Sequence, residues 1–127
     1  NEELGPRFPD MSRPYSPDLN RLFREVAEEK KIPLHEGIYV VVMGPNLETR
    51  AEYRMFSNFA DAVGMSTVPE VIVANHMGLP CAAVSVLTDE CDPDNLQVAD
   101  INEIIAVAGR AEANLIELFK GMVKRLI

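Results

Sequence analysis

Read by the spacing of its apolar positions, the chain alternates short β-branched runs with amphipathic helical stripes. Leu19, Leu22, Phe23, Val26 and Ala27 recur at helical spacing behind Ser16 as cap and Pro17 as first residue, with Glu28–Lys31 at the solvated end. Gly37–Met43, GIYVVVM, has no polar alternation and predicts a strand buried on both faces. Thr49 opens a helix expected to reach Phe59, with Glu52 at capping-box spacing. The stretch Ala60–Pro80, ADAVGMSTVPEVIVANHMGLP, organises the rest. In it Asp61–Met65 predicts a short parallel strand, and Thr67 with Glu70 predicts a capping box. The helix then runs Val68–Met77 until Gly78 and Pro80 stop it.

Cys81–Thr88, CAAVSVLT, predicts another buried strand, and Asp100 caps a long final helix with Glu103 again at capping-box spacing. Its apolar face is expected from Ile101, Ile104, Ile105, Ala108, Leu115, Ile116, Phe119, Met122 and Val123, with Gly109 and Gly121 allowing close packing on the sheet. Asn1–Tyr15 carries Pro6, Pro9 and Pro14 and predicts an extended loop, while Ile32–Glu36 reads as linker. The expected class is α/β. Strands Gly37–Met43, Ala62–Met65 and Ala82–Thr88 should lie side by side with their carboxyl ends on one edge. Parallel strands are normally covered on both faces within larger sheets, so these read as part of a mixed, largely parallel sheet flanked by helices.

Composition narrows the function. The 127 residues suffice for one domain at most, and 47% apolar with 25% charged residues is ordinary globular usage. A net charge of −8 argues against nucleic acid or an anionic membrane as partner, and it requires any phosphate site to be locally positive. No apolar run reaches membrane-spanning length, and NEELGPRF does not read as a signal peptide. Cys81 and Cys91 read as reduced thiols of a cytoplasmic protein, with a disulfide between them as the lesser alternative. The start at Asn1 reads as a removed leader or as a cut from something longer.

Open α/β sheets gather ligand chemistry beyond the carboxyl ends of their strands. Here those ends are Asn46–Thr49, Met65–Thr67 and Thr88–Asp89, which together carry Glu48, Asp89 and the hydroxyls of Ser66, Thr67 and Thr88. Ser66 at a helix N-terminus reads as an anion pocket or as the start of an ordinary capped helix. No Ser–His–Asp or Cys–His arrangement, dinucleotide fingerprint or P-loop is present, and His35 and His76 read as structural or surface residues. The acidic run Asp89–Asn95, DECDPDN, lacks the central glycine and closing glutamate of a calcium loop and reads as solvated, so no metal or cofactor is called for. Such a site suits binding and electrostatic stabilisation of a leaving group.

Three stretches carry a resemblance: Leu4–Ser12, LGPRFPDMS; Gly44–Met55, GPNLETRAEYRM; and ADAVGMSTVPEVIVANHMG within Ala60–Pro80. In this order they resemble the trimeric purine nucleoside phosphorylases, over nearly the whole chain and weakly in the last helix. The resemblance implies that residues 1–127 are the C-terminal part of one phosphorylase-type domain, incomplete without an N-terminal half. It implies cleavage of inosine or guanosine by phosphate, with inorganic phosphate as co-substrate and a homotrimer as the complete assembly. Residue by residue, it implies that Glu48 accepts the purine N1–H and Ser66 binds phosphate. Met65 and Leu47 sandwich sugar and base, Thr88 lines the base pocket, and Phe8 reaches across a subunit interface to cover the neighbour's sugar. Asp89 stands where the family has an asparagine facing the purine, and Asn102 where it has a histidine near the 5′-hydroxyl.

Four departures matter. Leu47 replaces the family's phenylalanine, trading stacking for aliphatic packing. The family's glycine between Phe59 and Ala60 is missing, which predicts a shortened or shifted helix end. The histidine replaced at Asn102 removes one expected sugar contact. Asp89, if ionised, would repel charge developing on the purine, so it serves only if burial keeps it protonated with purine bound. A protonated Asp89 suits a 6-aminopurine, as in the related methylthioadenosine phosphorylases, whereas Glu48 suits a 6-oxopurine. Adenosine-type or methylthioadenosine-type phosphorolysis is therefore the alternative reading, and a truncated, non-catalytic nucleobase-binding module is the rival from another class.

Overall fold

The computed structural model describes residues 2–127. After a short 3-10 turn at Glu2–Leu4 the order is α1 (Pro17–Lys30), β1 (Tyr39–Val41), α2 (Arg50–Phe56), β2 (Ala62–Gly64), α3 (Val68–His76) and α4 (Ile101–Leu126). β1 and β2 pair in parallel, with Tyr39 opposite Ala62 and Val41 opposite Gly64. The carboxylate of Asp61 fixes where this pair starts by accepting from the Ile38 N–H at 2.7 Å.

Helix ends follow local chemistry. Ser16 accepts from Leu19 N–H at 3.4 Å ahead of Pro17, and α1 closes with Lys31 in the left-handed region at φ 56°. Thr49 and Glu52 form the full capping box of α2. That helix stops at Phe56, three residues before the expected end, and turns into β2 through Phe59 and Ala60 N–H bonds to Phe56 O. No residue between Phe56 and Ala62 has positive φ, so the exit does without the missing glycine by shortening the helix. At α4 the Asp100 carboxylate accepts from Asn102 N–H at 2.8 Å, without the reciprocal Glu103 contact expected of a box.

The core lies between α1 and α4. Phe23, Val26 and Ala27 pack on Leu118 and Met122, with Ala82 and Val84 against the cluster, and Phe23 meets Phe119 edge-to-face at 5.5 Å. Gly121 lets the two helices approach, since a Cβ there would lie 2.4 Å from Val26 Cγ1. Gly109 has nothing within 4 Å and plays no packing part. Ion pairs from Lys30 to Glu117 and from Arg125 to Glu25 and Glu29 edge the same interface.

Three expectations are corrected. Ala82–Thr88 forms no strand: among the described residues no backbone hydrogen bond joins it to another segment, and clefts separate it from the β1–β2 pair. A β-branched run supplies propensity, but a ladder needs a neighbour about 4.8 Å away. The strand expected over Gly37–Met43 pairs at three residues only and is half-buried rather than covered on both faces, with Met43 fully exposed. Lastly, α4 packs on α1 rather than on the sheet, and its inward face is Leu118 and Met122, while Ile101, Ile105, Ile116 and Val123 remain exposed. Among the described residues no helix is long and apolar enough to cross a membrane.

Candidate active site

The segments that leave β1 and β2, together with the end of the 82–88 segment, enclose a cleft of about 610 Å³. Leu47, Glu48, Met65, Ser66, Thr88 and Asp89 all line it. Six of the eight expected site residues thus come together from three separate stretches of chain. The other two lie elsewhere. Phe8 is 84% exposed on the N-terminal loop with the Arg7 guanidinium over its ring, and Asn102 sits exposed in the first turn of α4 outside the cleft wall, to which that helix contributes Ile104.

Turn chemistry sets each group in place. Gly44, at φ +61°, swings the chain out of β1 towards Leu47 and Glu48. The α2 capping box then anchors the residue after Glu48, with Thr49 N–H and Oγ1 donating to Glu52 at 2.7 and 2.8 Å. Those two bonds, backbone first, hold the Glu52 carboxyl below the ordinary glutamate range. Beyond β2, Thr67 has φ 74° and ψ −53°, and Val68 N–H donates to Ser66 O at 2.8 Å. That is a γ-turn of the rare, strained hand, worth roughly 1–3 kcal/mol of local strain.

The γ-turn overturns the capping box expected of Thr67 and Glu70. A capping side chain needs extended backbone angles, and Thr67 makes no side-chain bond to α3. It also limits the anion pocket. Val68 N–H is consumed by the turn and Pro69 has none, so within the first three helical residues only Glu70 N–H is left to face a ligand beside the exposed Ser66. At the third corner Thr88 Oγ1 donates to Asp89 Oδ2 at 3.1 Å, and Asp89 is exposed.

Three further residues shape the cleft that sequence reasoning did not single out. Asp61 lies at its base, holding β1 against β2. Tyr53 is buried in its wall, and Cys91 adjoins it from the acidic loop. Burial first, then the neighbouring Cys91 thiol and Glu48 carboxylate, push the Tyr53 hydroxyl far above the usual phenol range. The spacing of Tyr53 to Phe56 marks the inward side of α2 in the sequence, whereas nothing local marks Cys91. The loop carrying it is fastened to α2 by an Arg54–Asp94 ion pair. Both cysteines are free thiols, and among the described residues no group of His, Cys, Asp and Glu could hold a metal ion. His76 packs beside Gly5, where a Cβ would lie 3.0 Å from its ring, in keeping with a structural histidine.

Residues 1–124 match the family model described as "Phosphorylase superfamily". The chain is 40% identical over 122 residues to purine nucleoside phosphorylase 1 of Bacillus subtilis, covering 95% of this chain and 45% of that protein. It is 38% identical over 125 residues to S-methyl-5′-thioadenosine phosphorylase of Pyrococcus furiosus, covering 96% and 48%. Among solved structures, a Schistosoma purine nucleoside phosphorylase in complex with guanosine superposes with a TM-score of 0.88 at 38% identity, covering 99% of this chain and 48% of that one. The chain therefore spans about half the length of the relatives it matches.

Proposed function

This chain belongs to the phosphorylase superfamily, and we propose that it is the C-terminal part of a purine nucleoside phosphorylase domain that cleaves inosine and guanosine with phosphate. The observation that carries this reading is the meeting of Glu48, Ser66 and Asp89 in one cleft from three separate segments. In the proposed reaction a phosphate oxygen bonds to C1′ as the C1′–N9 bond breaks, leaving ribose 1-phosphate and the purine. Glu48 accepts N1–H, Met65 and Leu47 enclose sugar and base, and Thr88 lines the base side. Ser66 takes part of the phosphate. A single helical N–H and one serine hydroxyl are too few for a dianion, so the remaining ligands come from polypeptide outside residues 1–127.

The open space between the β1–β2 pair and the unpaired 82–88 segment supports the same division of the domain, with further strands of the missing half filling it. The large exposed side chains of α4 agree with that reading. The complete enzyme is proposed to be a cytoplasmic homotrimer in which the exposed Phe8 covers a neighbour's sugar. A 6-aminopurine or methylthioadenosine substrate is the second reading. Asp89 favours it, as does similarity to a methylthioadenosine phosphorylase.

The test is phosphate-dependent release of free base by the full-length protein from inosine, guanosine, adenosine and methylthioadenosine. Inosine and guanosine turnover is expected to dominate. Preference for adenosine or methylthioadenosine would replace the oxopurine assignment with the second reading, and no turnover of any of them would leave only a binding module.

A further inference from the structure

The loop of residues 5–14 holds the Phe8 ring out in solvent, so the way the loop is mounted decides where the ring stands. Both of its feet rest on the last turn of α3. At one foot Asn75 Nδ2 donates to Pro14 O at 2.8 Å and to Val71 O at 2.9 Å, which uses both amide hydrogens. A flipped amide would set its oxygen against two carbonyls, so the bonds themselves fix its orientation. The Cys81 thiol donates to the same Pro14 O at 3.2 Å, and Ser16 N–H donates to Cys81 O at 2.8 Å. At the other foot Gly5, at φ +119°, lies against the His76 ring, where a Cβ would stand 3.0 Å from Cε1. Between the feet Asp10 stiffens the loop by accepting from Ser12 N–H and Oγ, both at 2.9 Å. A compact surface loop with its ends close together is an Ω-loop, and this one is fastened through two adjacent residues of one helix.

We propose that Asn75 and His76 are positioning residues for Phe8: they clamp the two ends of its loop and so fix the ring in advance for the sugar it covers. The helix does not need Asn75 for itself. Asparagine is a weak helix former, and α3 closes through backbone bonds from Met77 N–H to Val73 O and from Leu79 N–H to Ala74 O. A loop fixed beforehand spares the ordering cost when the ring meets its ligand. The helix begins beside Ser66 in the cleft and ends under the loop, about 13 Å away at 1.5 Å per residue. One rigid element therefore spaces the phosphate corner of this chain from the ring it presents. The proposal rests on one clause of the reading above, that Phe8 covers a neighbour's sugar.

The experiment is amide hydrogen exchange and steady-state kinetics of the full-length enzyme with Asn75→Leu, Gly5→Ala and Phe8→Ala. Asn75→Leu keeps the volume and loses both donors, while Gly5→Ala strains the other foot without altering α3. Asn75→Leu is expected to speed exchange at Ser16 N–H about tenfold, with the helix amides of Val71 and Met77 within about twofold. All three variants should raise inosine KM about three- to tenfold and leave phosphate KM within about twofold. Exchange at Ser16 that ignores Asn75→Leu overturns the proposal. Should Asn75→Leu loosen α3 as a whole, Gly5→Ala decides: an unchanged inosine KM there, with a raised one in Phe8→Ala, overturns it equally. If Ser16 responds yet Phe8→Ala leaves inosine KM unchanged, the anchorage stands and the reading of Phe8 as a sugar cover falls.

Discussion

The backbone of Gly44, where the chain leaves β1, lies against the thioether of Met65, where it leaves β2: a Cβ at residue 44 would stand 2.4 Å from Met65 Sδ. The two arms of the cleft therefore meet through a glycine at φ +61° and the most adaptable of apolar side chains. Gly44→Ala forces a left-handed conformation on an L-residue, at roughly 1–2 kcal/mol, and pushes Met65 into the cleft. Urea denaturation should show that loss, and the full-length enzyme should show a raised nucleoside KM. Unchanged stability and unchanged KM would mean that the two arms are not held together here.

The glycines of α4 make a paired prediction. Gly109→Ala meets open space and should stabilise by about 1 kcal/mol through helix propensity alone. Gly121→Ala gains the same propensity but drives a methyl to 2.4 Å from Val26 Cγ1, a branched side chain only 1% exposed. Overpacking of that kind costs about 1–3 kcal/mol, so the net effect is a loss. Urea midpoints of the two variants should move in opposite directions. Movement in the same direction would remove Gly121 as the α1–α4 contact point.

That interface also shows how much was legible in the chain. The α1 stripe, Phe23, Val26 and Ala27 above all, follows from spacing and is what the structure buries. The α4 stripe held in part: Met122 packs on α1 and Phe119 meets Phe23, but the isoleucines at 101, 105 and 116 stay exposed and Leu118, outside the expected face, is buried. A helix apolar over a broad arc does not announce which part of it will find a partner. The same limit explains Ala82–Thr88, whose composition is that of a strand but whose ladder depends on a neighbour. Motif wording located six cleft residues because loops at strand ends are tied to their chemistry. Tyr53 and Cys91 escaped it because their meeting is made by the fold of an acidic loop back onto α2. The γ-turn at Thr67 escaped it as well, since a threonine followed by a proline helix start reads locally as a cap.

The capping box of α2 gives a pH dependence with a definite sign. Glu52 has a depressed carboxyl in the folded state, through its bonds to Thr49, relative to the ordinary glutamate value of 4.5. Its contribution is therefore fully present above about pH 4.5 and is lost as pH falls through the lower folded value. The stability difference between the parent and Glu52→Gln should be largest at neutral pH and close towards zero below that window. Thr49→Ala should cost about 1 kcal/mol by losing the cap itself. Denaturation midpoints taken from pH 7 down to pH 3 check both, and a gap that widens on acidification would reverse the assignment.

Residues 1–127 alone should show no measurable phosphorolysis of inosine. The γ-turn and Pro69 leave the α3 end with one N–H beside Ser66, well short of what positions a phosphate dianion for attack at C1′. Adding the proposed N-terminal half in trans should restore turnover if the unpaired 82–88 segment receives it. Release of hypoxanthine by the isolated chain in phosphate buffer would show that the cleft is sufficient as it stands.

Base choice turns on the two carboxyl groups that the cleft brings together. In the proposed site Glu48 is the charged acceptor for a purine N1–H, and Glu48→Gln would leave ligand and protein polar groups mismatched. A hydrogen bond to a charged group contributes roughly 1.5–3 kcal/mol, so inosine kcat/KM should fall by about ten- to a hundredfold. Asp89 is different, because it is exposed and already accepts from Thr88 Oγ1 at 3.1 Å. An ionised acceptor at that corner opposes negative charge building on a departing 6-oxopurine, whereas an amide can donate to N7. Asp89→Asn in the full-length enzyme should therefore preserve or improve inosine turnover. The same change should not weaken adenosine turnover, since one amide can donate to N7 through its NH2 and accept from the 6-amino group through its carbonyl oxygen. Kinetics of both variants on inosine and adenosine separate the readings. Intact inosine turnover in Glu48→Gln, with its abolition in Asp89→Asn, would assign base recognition to Asp89 and overturn the oxopurine assignment.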